Sequence, residues 1–365
     1  MTGVRDDAAA GELRSVLSAE LDEAVVDVEE VADGLNLILA IATESDDQAY
    51  VLRRPNKLRH TGYLNELERE YAVMERLADT PIPVPEPVLY SDDESILEAP
   101  FFVMTALDGE VIPLGATLPA RFQNPSARKR VATHLIDTLA EIHAVPTEPF
   151  ADIVKHVDPR EQVERSVERL DEAKPVTGRD NETLRSVADW LLENAPTDPT
   201  TTLLHGDFRP GNVLFAGTDD PTLTGVIDWE TALLGEPLTE LGYVLLRWRD
   251  DEDPTPSVAE LAARYPNQDD AIDHLRTVNE DGLSPFTANA GSPTRRELVA
   301  RYENVTGRSF EHDRFYRAHA AMMLATVWED LHRHALEAGI ESDWEPYIDY
   351  VASFGDRIVR GDVPL

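Results

Sequence analysis

The sequence predicts an α+β protein of two lobes, a small one built on a five-stranded antiparallel sheet and a larger, mainly helical one. Three observations carry this prediction. Between residues 25 and 105 short β-branched and aliphatic runs are broken by turn residues. Beyond Ala106 apolar positions recur at helical spacing over long stretches. The 365 residues, 42% of them hydrophobic, suffice for one large core or two moderate ones. Lobes of residues 1–106 and 107–365 follow, with a cleft between them as the expected place for a ligand.

The elements follow in order. Leu13, Val16, Leu17 and Leu21 share one face of an opening helix. Residues 25–53 read as three antiparallel strands, about 25–32, 35–43 and 49–53, separated by Asp33-Gly34 and Glu44–Asp47. Leu64, Leu67, Tyr71, Met74 and Leu77 place a helix over Tyr63–Ala78. It must stop before Pro81-Ile82-Pro83-Val84-Pro85-Glu86-Pro87, because a residue preceding proline is pushed out of helical geometry. Strands near Val88–Tyr90 and Phe101–Thr105 complete the sheet. Helical patterns then run over 126–144, 158–172, 180–194, 237–248, 294–305 and 312–338. The chain has no internal repeat and no low-complexity segment.

Seventy acidic against 33 basic residues, only four of them Lys, leave a formal charge of −37. A surface this negative disfavours nucleic-acid binding. The acids are spread from Asp6 to Asp362 rather than gathered at one site, which points to adaptation to high salt more than to a trap for a cationic substrate. In roughly 1 M salt the Debye length falls to ~3 Å and the self-repulsion of such a surface is screened. Without cysteine there is no disulfide, thiolate nucleophile or Cys-ligated zinc. The start, Met1-Thr2-Gly3-Val4-Arg5-Asp6-Asp7, lacks an apolar signal core, and the apolar run Leu37–Ala42 is far below the ~20 residues of a membrane span. A cytoplasmic protein is the expectation.

The chemistry concentrates in Leu204-His205-Gly206-Asp207-Phe208-Arg209-Pro210-Gly211-Asn212, followed downstream by Val226-Ile227-Asp228-Trp229-Glu230. Asp207 opens a tight loop, Arg209 and Asn212 follow two and five positions on, and Asp228 ends a short apolar strand. Phosphoryl transfer needs these parts: a group to accept the proton of the attacking hydroxyl, a cation near the γ-phosphate, and hard oxygen ligands for Mg²⁺. Each residue also has a purely structural reading. Asp207 could cap its loop, Asn212 and Asp228 could form an Asx-turn and a strand-end cap, and Arg209 could be a surface ion pair.

The two motifs, in this order and spacing, resemble the aminoglycoside phosphotransferase-like (choline kinase-like) superfamily, whose fold is that of the protein kinases. Tyr50-Val51-Leu52-Arg53-Arg54-Pro55, Glu70, Ala99-Pro100-Phe101-Phe102-Val103-Met104, Leu139-Ala140-Glu141-Ile142-His143-Ala144 and the Tyr302–Gly307 stretch extend the likeness over roughly residues 15–360. The resemblance implies ATP and Mg²⁺, and small-molecule or acyl-CoA-linked hydroxyls as acceptors. It makes Asp207 the base and Arg209 a neutraliser of the transferring phosphoryl group, and gives Mg²⁺ to Asn212 and Asp228. His205 becomes a loop-orienting residue. The nucleotide would lie under the hairpin turn at Gly34 and Asn36, with its base against a connector that includes Met104 and Ala106.

The usual nucleotide-binding lysine of the third strand is missing. Arg53 aligns best with it, Arg54 and Lys57 being rivals, and Glu70 is its expected partner, with Glu66 and Glu68 as alternatives. The phosphate-covering turn has a single glycine. Glu240 either braces the catalytic loop through its backbone or is a first-turn acid favoured by the helix dipole, and stays outside the catalytic set. His332 and His334, two apart on a helix, do not converge on a metal, and Met322, Met323, Trp328 and Leu331 read as core. The expected function is transfer of the γ-phosphate of ATP to a small-molecule hydroxyl. A nucleotide-binding pseudokinase without turnover and a protein kinase are the alternatives.

Overall fold

The structure, a computed structural model, describes residues 7–34, 36–56 and 67–365, which divide into two units. The first takes the described residues up to Gly109 with Asp152–Val154 and Thr224–Ala232. Its elements are α1 (Asp7–Glu20), β1 (Val25–Asp33), β2 (Asn36–Thr43), β3 (Tyr50–Pro55), α2 (Leu67–Leu77), β4 (Pro87–Ser91), α3 (Glu94–Leu97) and β5 (Phe101–Thr105). The strands form one sheet in the order β1-β2-β3-β5-β4, antiparallel at every pair.

Strand alternation divides the labour between the two faces of this sheet. Leu37, Leu39 and Ile41 of β2 with Leu52 and Val103 pack on Leu13 and Leu17 of α1. Arg53 and Phe102, paired across β3 and β5, point the other way. There α2 brings Glu70 onto Arg53 and Tyr71 edge-on to Phe102. The expected helix over Tyr63–Ala78 is therefore present over Leu67–Leu77, its first residues and the rivals Lys57 and Glu66 lying outside the described residues.

The second unit takes Glu110–Ala151, Lys155–Leu223 and Leu233–Leu365. Its helices are α4 (Pro125–Ile142), α5 (Pro159–Thr177), α6 (Glu182–Glu193), α7 (Pro237–Leu245), α8 (Val258–Arg264), α9 (Asp269–Asp281), α10 (Arg295–Thr306), α11 (Asp313–Glu337) and α12 (Glu345–Arg360). Local signals set several boundaries. Asn124 and Asp158 cap the N–H groups of Ala127 and Glu161, Thr294 and Glu297 form a capping box, and Gly178, Gly307 and Gly361 end helices in the left-handed region. Helix α11 buries residues on all sides and is the axis of the unit, packed by α5, α6, α7 and α12.

In this unit three helices, α8, α9 and α12, were not expected from the sequence. Gly355, a poor helix former in the middle of α12, lies so close to α11 that an added Cβ would stand 3.2 Å from the Ala321 Cβ. Tertiary packing overrides the propensity there. Short strands β6 (Thr202–Leu204) and β9 (Leu233–Gly235) pair antiparallel and present the end of Leu204 to the loop that follows, while β7 (Val213–Ala216) receives the chain leaving it. The strand β8 (Thr222–Val226) leads into the Asp228 segment. Among the described residues no helix is long and apolar enough to cross a membrane.

Candidate active site

In the helical unit, the loop between β6 and β7 is held from both ends. Buried β6 feeds it on one side, and Ile112 donates its N–H to the Pro210 carbonyl at 3.0 Å while Glu110 and Phe215 exchange backbone bonds on the other. Gly206, at φ 86°, makes the bend that a side chain would resist. Within the loop Asp207 N–H donates to His205 Nδ1 at 3.2 Å, so His205, fully buried, orients backbone as expected.

The Asp207 carboxylate is gripped through both oxygens. Oδ2 accepts from Arg209 Nε at 2.8 Å and from Asn212 Nδ2 at 2.9 Å, and Oδ1 accepts from the Tyr243 hydroxyl at 2.6 Å. Burial alone would raise its pKa, but Arg209, Arg247 and the Tyr243 hydroxyl outweigh burial and hold the carboxyl below its ordinary value. Asn212 Nδ2 also donates to the Asp207 carbonyl at 3.0 Å. Only an amide nitrogen can serve two oxygens, so the amide orientation is determined and Oδ1 is the Asn212 atom able to ligate a metal. Arg209 lies across Gly211, where an added Cβ would come 2.1 Å from Nη1. A side chain at 211 would push the guanidinium off Asp207.

Glu240, set aside on sequence grounds, braces this loop. Its Oε1 accepts the Gly206 N–H at 2.7 Å, and Oε2 accepts the His205 N–H at 3.2 Å and faces His143 Nε2 at 3.1 Å. His143 Nδ1 in turn lies 2.7 Å from the Tyr302 hydroxyl. Burial pushes the His143 pKa down, which keeps it neutral. One proton arrangement then satisfies the chain: Tyr302 O–H donates to Nδ1, and Nε2–H donates to Glu240.

The sheet unit holds a second constellation. Arg53, 5% exposed, bonds Glu70 Oε1 at 2.5 Å, Asp228 Oδ1 at 2.8 Å and the Glu230 carboxylate. Arg54, one residue on and so on the other face, donates to the Leu97 carbonyl at 2.9 Å. Glu70 is buried while Glu68 is exposed. Burial pushes the Glu70 carboxyl up to about 8 against the pull of Arg53, with Asp228 and Glu230 adding to the rise. For Arg53 burial works downward, and Glu70, Asp228 and Glu230 more than reverse it, so its pKa is raised. Arg69 stands beside this group as well, donating to the Glu230 carbonyl and attracted by the Glu230 and Glu70 carboxylates. Asp228 itself sits at φ 71° in the left-handed region, which Asp tolerates better than most residues, beneath Trp229, fully buried and bonded to the Val226 carbonyl at 3.1 Å.

The residues expected to meet a nucleotide are less distinctive. The Gly34 N–H donates to the Asn36 carbonyl at 3.0 Å, and an added Cβ at Gly34 would find only that carbonyl within 4.0 Å. Met104 pairs with Val51 across the sheet, and the Ala106 N–H donates to the Ala49 carbonyl at 3.0 Å. Tyr243, Arg247 and Glu230 escaped sequence reading. The signal for the first two was their i, i+4 spacing at the end of the helix that follows Gly235-Glu236-Pro237. His332 bonds Ser342 and His334 bonds Glu337, and among the described residues no group of three or more His, Asp or Glu is arranged to hold a metal by itself.

Sheet, helical unit and loop chemistry together define a phosphotransferase of kinase-like fold. The chain belongs to the phosphotransferase enzyme family, whose model matches residues 33–275. Among solved structures it is similar to a protein from Ralstonia eutropha JMP134 provisionally described as an aminoglycoside phosphotransferase (22% identity, TM-score 0.73, 96% of this chain and 98% of that one). It is also similar to a macrolide 2′-phosphotransferase from Brachybacterium faecium (15%, 0.58, 97% and 98%). Acyl-CoA dehydrogenase family member 11 of Homo sapiens is 25% identical over 257 residues, 70% of this chain. The same-named protein of Gallus gallus is 33% identical over 201 residues, 54% of this chain. The chain spans only 29% and 25% of the length of these two relatives.

Proposed function

We propose that the protein transfers the γ-phosphoryl group of ATP to a hydroxyl of a small molecule, with Asp207 as the base. The observation that supports this most is the Asp207 carboxylate, kept ionised below its ordinary pKa and aimed by three donors through both oxygens. A carboxylate this stabilised is a weak base. That suits a loose transition state, in which the acceptor's proton leaves late and the main demand is orientation. Arg209, bonded to the same carboxylate, is the proposed neutraliser of charge on the transferring group.

Asn212 Oδ1 and the Asp228 carboxylate are the proposed Mg²⁺ ligands, a neutral and a charged oxygen of the kind Mg²⁺ accepts. The Asp228 and Glu230 carboxylates gathered at Arg53 offer oxygens of the kind a cation seeks. Mg²⁺, when bound, would supply charge neutralisation on the β- and γ-phosphates. Arg53, steadied by Glu70, takes the part of the missing lysine toward phosphate, and Gly34, Asn36, Met104 and Ala106 remain the proposed nucleotide contacts.

For the acceptor, the similar proteins suggest a panel. One solved relative is a complex with GDP and kanamycin, others are macrolide phosphotransferases, and the longer relatives are named acyl-CoA dehydrogenases. The test is ADP release from Mg·ATP in molar KCl over aminoglycosides, macrolides, amino alcohols, sugars, hydroxy acids and hydroxyacyl-CoAs. Asp207→Asn should fold normally and lose about 10²- to 10⁴-fold in rate. Nucleotide binding without turnover on the whole panel would instead mark a pseudokinase.

A further inference from the structure

Tyr243, in the last turn of α7, bonds Asp207, and Arg247 follows four residues on, just past the end of that helix. Arg247 is 3% exposed. Its guanidinium stacks 3.9 Å from the centre of the Tyr243 ring, and Nη1 donates to the Tyr243 carbonyl at 2.9 Å. The guanidinium also interacts with the Tyr243 hydroxyl, and no carboxylate is bonded to it among the described residues. Arg53, Arg295 and Arg317, buried to a similar degree, are each paired to carboxylates. Arg247 has no ion pair among the described residues, in a chain of formal charge −37.

Asp207 is the acid whose charge Arg247 stabilises. It is already committed, Oδ2 to Arg209 and Asn212 and Oδ1 to Tyr243. A largely buried guanidinium that no carboxylate bonds beside the proposed base is placed to receive an oxyanion from outside the chain. Stacking on Tyr243 fixes its plane, so the guanidinium is held as a rigid fork suited to an oxyanion.

We propose that Arg247 is the acceptor-recognition residue of this enzyme, and that the acceptor carries an oxyanion, carboxylate or phosphate, about one phenol ring away from the hydroxyl that meets Asp207. The proposal rests on Asp207 being the base. Tyr243 is the spacer: its hydroxyl holds Oδ1 in place and its ring carries Arg247. A polycationic acceptor would meet a buried positive charge here and be disfavoured.

The experiment compares matched acceptors by kcat/KM at constant KCl: glycerate with glyceramide, glycerol 3-phosphate with glycerol, and kanamycin as a cationic probe. The two pairs separate carboxylate from phosphate recognition. In the wild-type protein the anionic member of at least one pair is preferred by tenfold or more. Arg247→Gln brings that ratio toward one by loss on the anionic member, and Arg247→Lys, a point charge without the fork, keeps part of it. A change in Asp207 alone would move both members equally. Turnover confined to uncharged or cationic acceptors, or an unchanged ratio in both variants, overturns the proposal and leaves the phosphotransferase reading intact. Should Arg247→Gln not fold, the wild-type preference and Arg247→Lys decide. Failure of Asp207→Asn to reduce turnover removes the reading underneath as well.

Discussion

Replacing Glu240 by glutamine exchanges one oxygen for an NH₂ group at constant size, at a residue 4% exposed that receives the loop's Gly206 and His205 N–H groups. Glutamine has one oxygen for this work. Keeping it on Gly206, the shorter bond at 2.7 Å, turns NH₂ toward His205 N–H and His143 Nε2. His143 has a way out, since moving its proton to Nδ1 lets Nε2 accept while the Tyr302 hydroxyl becomes the acceptor of Nδ1–H. The His205 N–H has none. A buried donor without an acceptor costs about 1–3 kcal/mol. If the loop stays in place, urea unfolding in KCl shows that loss as stability. If the loop relaxes, it appears as a kcat lower by about 5- to 150-fold with the KM for ATP little changed. Tyr302→Phe removes only the outer bond and should lie between this variant and the wild type. Glu240→Gln with both stability and kcat at wild-type values would refute the bracing role.

Arg53→Met leaves the buried Glu70 carboxylate without its bonded guanidinium, a change of the kind that costs about 3–5 kcal/mol; part is relieved by the nearby Arg69 and because Glu70 takes up a proton readily, and Arg53→Lys should recover most of the stability on unfolding. His319 is fully buried, stacked on Phe315, with neither ring nitrogen bonded, and burial lowers its pKa to about 4. Because the folded value lies below the unfolded one, the unfolded chain binds the proton first, so stability holds above about 6.5 and falls toward about 4, by roughly 2 kcal/mol at pH 5. His319→Phe should lose that part of the acid dependence when unfolding is measured from pH 8 to 5. The formal charge of −37 predicts a melting temperature that rises between 0.1 and 2 M KCl, and scanning calorimetry finding no change would count against salt adaptation.

Much of the local structure could be read in advance because it rests on short-range causes. The five strands stand close to where alternation and turn residues put them, and Asn124, Asp158 and Thr294 start helices by capping chemistry. Helix α12 was hidden because Gly355 serves a contact with α11, and nothing in the neighbouring residues announces that contact. Within the helical unit the loop residues Asp207, Arg209 and Asn212 are near neighbours whose bonds close over two to five positions, so the group was legible as a group.

The sequence by itself determined the kind of chemistry, since the acid, arginine and amide of one loop and the acid after one strand are the residue types that phosphoryl transfer uses. It favoured Arg53 and Glu70 but left Arg54 and Lys57, and Glu66 and Glu68, as rivals. Tertiary structure separated the two arginines through the pleat, which sends Arg53 to Glu70 and Arg54 to the Leu97 carbonyl. It alone brought Tyr243 to Asp207 and Glu240 to the Gly206 N–H, across 36 and 34 residues of chain. Contacts at such separation depend on where α7 packs against α11, and no local pattern records that.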